Sequence, residues 1–185
     1  MGRLVYTAIA SLDGYIADAQ GRFEWCAPDE EVHAFVNDVE RPIGTHLYGR
    51  RMYDVLAVWD TIDSGSDATR DFARIWRSAD KVVYSRTLDA VSTGRTRLER
   101  ELDLDTLAAR VRSSPTDVSI GGPTLAAPAL RAGLVDDFHL FLSPVVVGGG
   151  LRALPTDVRL DLELVAEHQF ANGVVYLHHQ RRRRI

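Results

Sequence analysis

Three short segments carry residue types suited to holding phosphate. The first is Ser119-Ile120-Gly121-Gly122-Pro123-Thr124-Leu125. An apolar strand runs into two glycines, and Pro123 then opens a helix at its favoured first position. Glycine lets the backbone approach a phosphate closely, and a helix start offers free N–H groups with a partial positive charge. The segment reads as a pyrophosphate cradle or as a plain strand-to-helix turn. It is neither a G-x-G-x-x-G fingerprint nor a phosphate loop ending in Gly-Lys-Ser/Thr. The second, Leu47-Tyr48-Gly49-Arg50-Arg51-Met52-Tyr53, repeats strand, glycine and helix start. Two cations in a first helical turn oppose the helix dipole. They make sense if an anion docks there; otherwise they are solvated arginines. The third, Tyr84-Ser85-Arg86-Thr87, could hold a further phosphate such as an adenosine 2′-phosphate, or form a polar turn with capping residues. Three such segments at neighbouring strand ends point to one extended, multiply charged ligand such as a dinucleotide.

The elements that must position them alternate. Residues 3–10 form a β-rich apolar run that ends at Asp13-Gly14. Pro28 is expected to open an amphipathic helix carrying Val32, Phe35, Val36 and Val39, closed by Pro42 and Gly44. A strand at His46–Tyr48 follows, then helices from Arg50 to about Ala57 and from Asp67 to Arg77, and a strand at Val82–Tyr84. Next come a helix at Asp103–Arg112, a strand at Asp117–Ile120 and a helical segment that Pro128 is expected to kink or split. Phe138–Val147 is apolar on both faces, as in a central strand, and Val158–Leu164 alternates as if one face were wet. Asn172-Gly173 marks a hairpin whose return strand is Val174–His179. The order predicts an α/β fold: a mixed, mostly parallel sheet with an antiparallel C-terminal hairpin and helices on both faces. Ligands of such sheets bind beyond the carboxyl ends of the strands. Asp13-Gly14, Gly49 and Gly121-Gly122 all fall there.

Composition narrows the function classes. The 185 residues suit one domain, expected over 1–180 with a basic tail at 181–185. The net charge of -4 argues against nucleic acid as a partner, and no stretch is apolar enough for a membrane span or a signal peptide. Cys26 is the sole cysteine, so no disulfide framework is expected, and a reducing cytoplasm is the simplest compartment. No metal site is expected: the six histidines are scattered, and His178-His179 alternate across a strand.

Taken in order, Ser11-Leu12-Asp13-Gly14-Tyr15-Ile16-Ala17, Tyr48 to Tyr53, Ser85 to Leu88, Gly121 to Leu125, Gly133 to Asp136 and Pro144 to Gly148 resemble the dihydrofolate-reductase-like family, which includes the reductase domain of bacterial riboflavin biosynthesis. The resemblance spans residues 3 to about 150. It implies a three-layer fold, NADPH as cofactor, hydride transfer and a homodimer. By that analogy Gly49, Arg50 and Arg51 cradle phosphates, Ser85 and Arg86 sit at the adenosine end, and Gly121, Gly122, Pro123, Thr124 and Leu125 carry the pyrophosphate. Thr7, Ala8, Ile9 and Gly14 border the nicotinamide.

The substrate side is read from side chains. Hydride transfer to C=N or C=O needs a proton source and an orienting group. Asp13 and Glu31 are the candidates carried forward, although Asp13 equally suits a turn and acids favour any helix start. Folate-reducing members of the family it resembles carry an acid on the helix after a tryptophan, and by that resemblance the count from Trp25 favours Glu30; Glu30 falls on the wet side of the helix, so the helix face favours Glu31. Trp25, Phe35 and Tyr53 are expected to contact a flat heterocycle, with Trp59 near them. The expected activity is NADPH-dependent reduction of a small pterin- or pyrimidine-like substrate. Dihydrofolate reduction itself and a catalytically silent NADP(H)-binding module are the alternatives. The homodimer is expected because Leu140, Phe141 and Leu142 need cover on both faces.

Overall fold

The computed structural model describes residues 1–182. Eight strands form one sheet: β1 (Leu4–Ser11), β3 (Ile43–Gly49), β4 (Asp80–Tyr84), β5 (Thr96–Glu99), β6 (Asp117–Gly121), β7 (Asp137–Ser143), β9 (Leu162–Gln169) and β10 (Val175–Arg181). Their order is β5-β4-β3-β6-β1-β7-β10-β9. The first six are parallel; β10 runs antiparallel to β7, and β9 to β10. A small second sheet pairs β2 (Tyr15–Ala17) with β8 (Leu151–Arg152). The helices are α1 (Glu30–Glu40), α2 (Arg50–Leu56), α3 (Asp67–Ser78), α4 (Leu104–Ser113) and α5 (Pro123–Arg131).

Alternation along the strands sorts the core into layers. Leu47, Val82, Ile120, Leu4 and Tyr6 face one way and pack with Leu107 and Val111 of α4 and Ala126, Ala129 and Leu130 of α5. Tyr48 and Val83 face the other way, against Tyr53 of α2. On that same face Phe141 and Tyr176 meet Val32 and Phe35 of α1. The result is the expected three-layer arrangement. Each fully buried aliphatic or aromatic side chain in it contributes about 1.5–3 kcal/mol.

Several expected boundaries move, each for a local reason. Pro28 does not open α1: Asp29 is the N-cap, its carboxylate accepting from the Val32 N–H at 3.0 Å. Pro128 neither splits nor ends α5, because its ring lies on the exposed side and only one backbone donor is lost. β7 stops at Ser143, since Pro144 cannot donate to a ladder. β9 starts at Leu162, later than the alternation at Val158 suggests, and the short edge strand β5 has no signal of its own. Arg181 belongs to β10, and the Arg182 N–H donates to Asp161 O, so the expected basic tail begins as sheet. Its remainder, 183–185, lies outside the described residues. No helix among the described residues is long and apolar enough to cross a membrane.

β7 needs no partner subunit to cover it: Phe141 is wholly buried under α1, and Leu140 packs on the α4–α5 side. The uncovered strand is β9, at the sheet edge, where Leu164 and Val165 are about half exposed (48% and 49%).

Candidate functional site

The four motif-bearing strands β4, β3, β6 and β1 are consecutive in the sheet, so their carboxyl ends line one continuous edge. That edge contains an opening. β1 pairs with β6 only at Leu4–Val118 and Val5–Ser119, whereas it pairs with β7 along its whole upper length to Ser11–Ser143. Beyond Val5 the two strands part. Backbone polar groups on the facing edges then lack a ladder partner, and such groups need one from elsewhere. A flat ligand with amide-like donors and acceptors meets that need.

Two helices start beside the opening, and neither is capped by a side chain. Gly49 precedes α2 and Gly122 precedes α5, both without a side-chain cap hydrogen bond. The other three helices are capped by Asp29, Ser66 and Asp103. The bare starts are interlocked. A Cβ at Gly49 would lie 3.8 Å from Leu125 Cβ, and one at Gly122 would lie 3.8 Å from Met52 Cβ. Gly121 is tighter still, with Tyr48 ring carbons 3.0 and 3.1 Å from where its Cβ would be. Gly122 has φ +85°, which favours glycine. Free N–H groups from two helices thus converge on one patch of the sheet edge, the geometry an anion requires.

Cations ring that patch. Arg51 is exposed, with no hydrogen-bond or ion-pair partner among the described residues. Arg50 donates to Thr87 Oγ1 at 2.8 Å and approaches Asp54 at 3.5 Å, which ties α2 to the turn after β4. Arg86 is exposed, 3.4 Å from Glu101. Ser85, by contrast, is buried, and its Oγ accepts from the Thr87 and Leu88 N–H groups. It shapes the turn after β4. Pro123 is buried at the first position of α5, while Thr124 is exposed.

The end of β1 is built differently. Asp13 accepts from the Val147 N–H at 3.2 Å and the Gly148 N–H at 2.8 Å. A hydrogen bond with Ser11 and these two amides hold its carboxyl below the usual range. It is an ionised latch on the segment after β7 and has no proton to donate near neutral pH, so its expected acid role gives way to the turn-forming one. Gly14, at φ +87°, accepts from the Ala153 N–H, and the Tyr6 hydroxyl donates to Ala153 O at 2.5 Å. Ala8 and Ile9 lie on the parted edge, but they pack their side chains into the two cores. Thr7 is lower, paired with His139, with its hydroxyl turned toward the buried Glu40 carboxyl. Only its backbone is placed to border a ligand.

Side-chain expectations for the substrate fare less well. Phe35 is a core residue, packed against Phe141, His168, Phe170 and Tyr176 at centroid distances of 6.1, 5.3, 5.3 and 4.7 Å. Tyr53 is buried behind α2, where its hydroxyl accepts from the Ser92 N–H at 3.0 Å. Trp59 packs edge-on against His33 and Phe72. Phe35 and Tyr53 thus pack within the core clusters of that face, while Trp59 stays half-buried. Trp25, in a short 3-10 turn (Glu24–Cys26) beside β1, stays half-exposed with its Nε1 donating to Arg22 O at 3.1 Å. Glu31 is exposed and accepts from the Ala171 N–H at 3.4 Å, in the β9–β10 turn. Cys26 is half-buried as a packing residue.

A feature that sequence reasoning missed lies under the sheet. Glu40, at the end of α1, is buried with its Oε2 3.7 Å from His46 Nδ1, which also meets Ser119 Oγ at 2.7 Å. Burial pushes Glu40 up to about 7 and His46 down to about 3, so both favour their neutral forms. The helical periodicity put Glu40 near the buried stripe of Val32, Val36 and Val39, which was the available signal.

Comparison with known proteins bears on the same region. A family model described as the RibD C-terminal domain matches residues 3–176. An uncharacterized Bacillus subtilis protein, YyaP, is 28% identical over 180 residues, covering 95% of this chain and 93% of its own. A crystal structure of a candidate riboflavin biosynthesis protein from Shewanella sp. PV-4 superposes with TM-score 0.75 at 20% identity, covering 98% and 99% of the two chains. Dihydrofolate reductase from Enterococcus faecalis, solved with NADP(H) and RAB-propyl, gives a TM-score of 0.62 at 14% identity over 97% and 96% of the two chains.

Proposed function

From the premise that the chain belongs to the RibD C-terminal domain family, we propose that it is an NADPH-dependent reductase of a small pterin- or pyrimidine-like heterocycle. The observation that carries this reading is the parted β1–β6 edge flanked by two uncapped, interlocked helix starts. Bound there, NADPH supplies the hydride. The residues fit it. N–H groups at the starts of α2 and α5 receive the pyrophosphate, while Arg51 and Arg86 are free enough to meet a 2′-phosphate as guanidinium forks. The parted backbone of Ala8 and Ile9 borders the flat nicotinamide. Asp13 fixes the loop after β7, which shapes one wall and limits water entry.

The substrate lies between this edge and the start of α1, with Trp25 as a flat contact surface. Glu31, in the first turn of α1, serves the acceptor once it releases the Ala171 amide. A second copy of the chain pairs along β9, covering Leu164 and Val165. An unpaired edge strand of eight residues with exposed apolar side chains supports that homodimer.

Titration with NADPH and NADH, followed by tryptophan fluorescence, tests the reading. Saturable binding with NADPH preferred supports it, and turnover of pterins, folates or pyrimidines then names the acceptor. Full turnover by Glu31→Gln removes Glu31 from the reaction. Binding of neither nucleotide at millimolar concentration overturns the proposal.

A further inference from the structure

At the other end of the sheet, away from the cleft, three ligand-type side chains meet. Asp137 opens β7 and is buried, 4% exposed, an uncommon place for a carboxylate. His139 lies two residues on, so it shares the face of Asp137. His178 of β10 is the cross-strand partner of His139. One donor atom from each of the three lies within 4.8 Å of the others. His178 Nε2 is 2.7 Å from Asp137 Oδ1, and the two imidazoles stack with centroids 4.2 Å apart. A cavity of about 310 Å³ opens onto all three, and its lining includes Asp38, Asp117 and Arg3. The spacing rule that sets His178 and His179 on opposite faces is correct, but the partner comes from another strand, which the sequence does not display.

We propose that Asp137, His139 and His178 form a site for one divalent transition-metal ion of the zinc class, with its open coordination positions facing this cavity. Two imidazoles and one carboxylate are the donor set of Zn²⁺, Co²⁺ or Ni²⁺, and are too nitrogen-rich for Ca²⁺ or Mg²⁺. The supporting contacts are those of a metal site. His139 Nδ1 is engaged by the Tyr176 hydroxyl at 2.6 Å, which holds the ring and leaves Nε2 to bind. Arg3 Nε meets the other Asp137 oxygen at 2.6 Å and keeps the carboxylate oriented. Between His178 Nε2 and Asp137 Oδ1 the ion takes the place of the shared proton, which is released to solvent. Metal–ligand bonds of about 2.0–2.2 Å require the three donors to draw together, and a small tilt of the stacked rings does this. Three carboxylates against one guanidinium in the lining favour a cation, although Asp38 also pairs with Arg41 at 3.2 Å. The ion ties β10, and with it the C-terminal hairpin, to β7, the last of the parallel strands.

The full chain, stripped of metal with a chelator, is titrated with zinc chloride by calorimetry and with cobalt chloride by visible absorption. One equivalent is expected to bind, with cobalt ligand-field bands and a melting temperature that rises with added zinc and falls back with chelator. His178→Gln retains a hydrogen bond to Asp137 and is expected to abolish the bands; His168→Gln, which changes an exposed histidine elsewhere, keeps them. Tyr176→Phe keeps the ring packing and is expected to weaken binding about tenfold or more. The proposal is overturned if the folded wild-type chain binds neither metal at millimolar concentration, or if His178→Gln and Tyr176→Phe bind as wild type does.

Discussion

The ends of β3 and β6 and the end of β1 treat their backbone groups in opposite ways. After β3 and β6 the chain goes straight from glycine into a helix, leaves the first N–H groups without a side-chain acceptor and adds unpaired arginine. After β1 it uses its backbone groups up: the Asp13 carboxylate takes two amides, the Leu12 N–H donates to Val145 O and Gly14 O accepts from Ala153. Both are glycine turns in sequence. One is unfinished without a ligand, and the other is complete. Unspent donors are therefore a better guide to a binding surface than glycine content.

Gly121→Val is the strongest way to break this contrast. Its side chain would press on Tyr48, which is only 4% exposed and has no room to withdraw. Overpacking of this kind costs about 1–3 kcal/mol. Both helix starts shift with it, so NADPH binding is expected to vanish while the melting temperature falls. A folded variant that binds NADPH as wild type does would detach the helix starts from the cofactor.

Arg51→Ala sharpens the comparison, because Arg51 holds nothing else in place. A charged hydrogen bond is worth about 1.5–3 kcal/mol, so NADPH affinity should drop about 10–100-fold. The melting temperature and the affinity for NADH should stay as they were. Equal losses for both nucleotides would move Arg51 from the 2′-phosphate to the pyrophosphate.

Asp13→Ala tests the completed turn. It strands the Val147 and Gly148 amides, so the melting temperature and the protease resistance of the 144–153 segment should fall. NADPH affinity should change less than in either variant above. Turnover that falls without any loss of stability would return Asp13 to the chemistry.

The same contrast explains what could be read from sequence. Strand, glycine and helix-start chemistry is local, so the mixed, mostly parallel sheet class and the α2 and α5 starts were legible in a few residues each, whereas the strand order was not. Nor was the packing of Phe35, Tyr53 and Ser85. An aromatic at helical spacing suits a pocket wall as well as a core, and only the packing of α1 on β7 and β10 assigns Phe35 to the core. Asp137, His139 and His178 are brought together by the antiparallel register of β7 and β10, which no local pattern encodes.

Beneath both regions the Glu40–His46 pair should leave no mark on the wild-type dependence of stability on pH between 4.5 and 6.5, because its two halves cancel. Folding raises Glu40 from 4.5 to about 7, so its contribution is full below pH 4.5 and is lost as the pH rises toward 7. Folding lowers His46 from 6.5 to about 3, so its contribution is full above pH 6.5 and is lost as the pH falls toward 3. Between pH 4.5 and 6.5 the folded pair holds one proton, on Glu40, and the unfolded pair also holds one, on His46. No net proton is taken up, so the pair adds no slope to stability against pH. Glu40→Gln leaves only the His46 half. Its stability relative to wild type should therefore rise with pH across that window, by at most about 1.4 kcal/mol per unit. His46→Asn should show the reverse slope, falling as the pH climbs toward 7. Denaturant melts of each variant against wild type, taken at several pH values, cancel the contributions of other groups such as His139. Parallel curves for wild type and both variants would mean that the pair is ionised in the folded core, and that burial does not govern it.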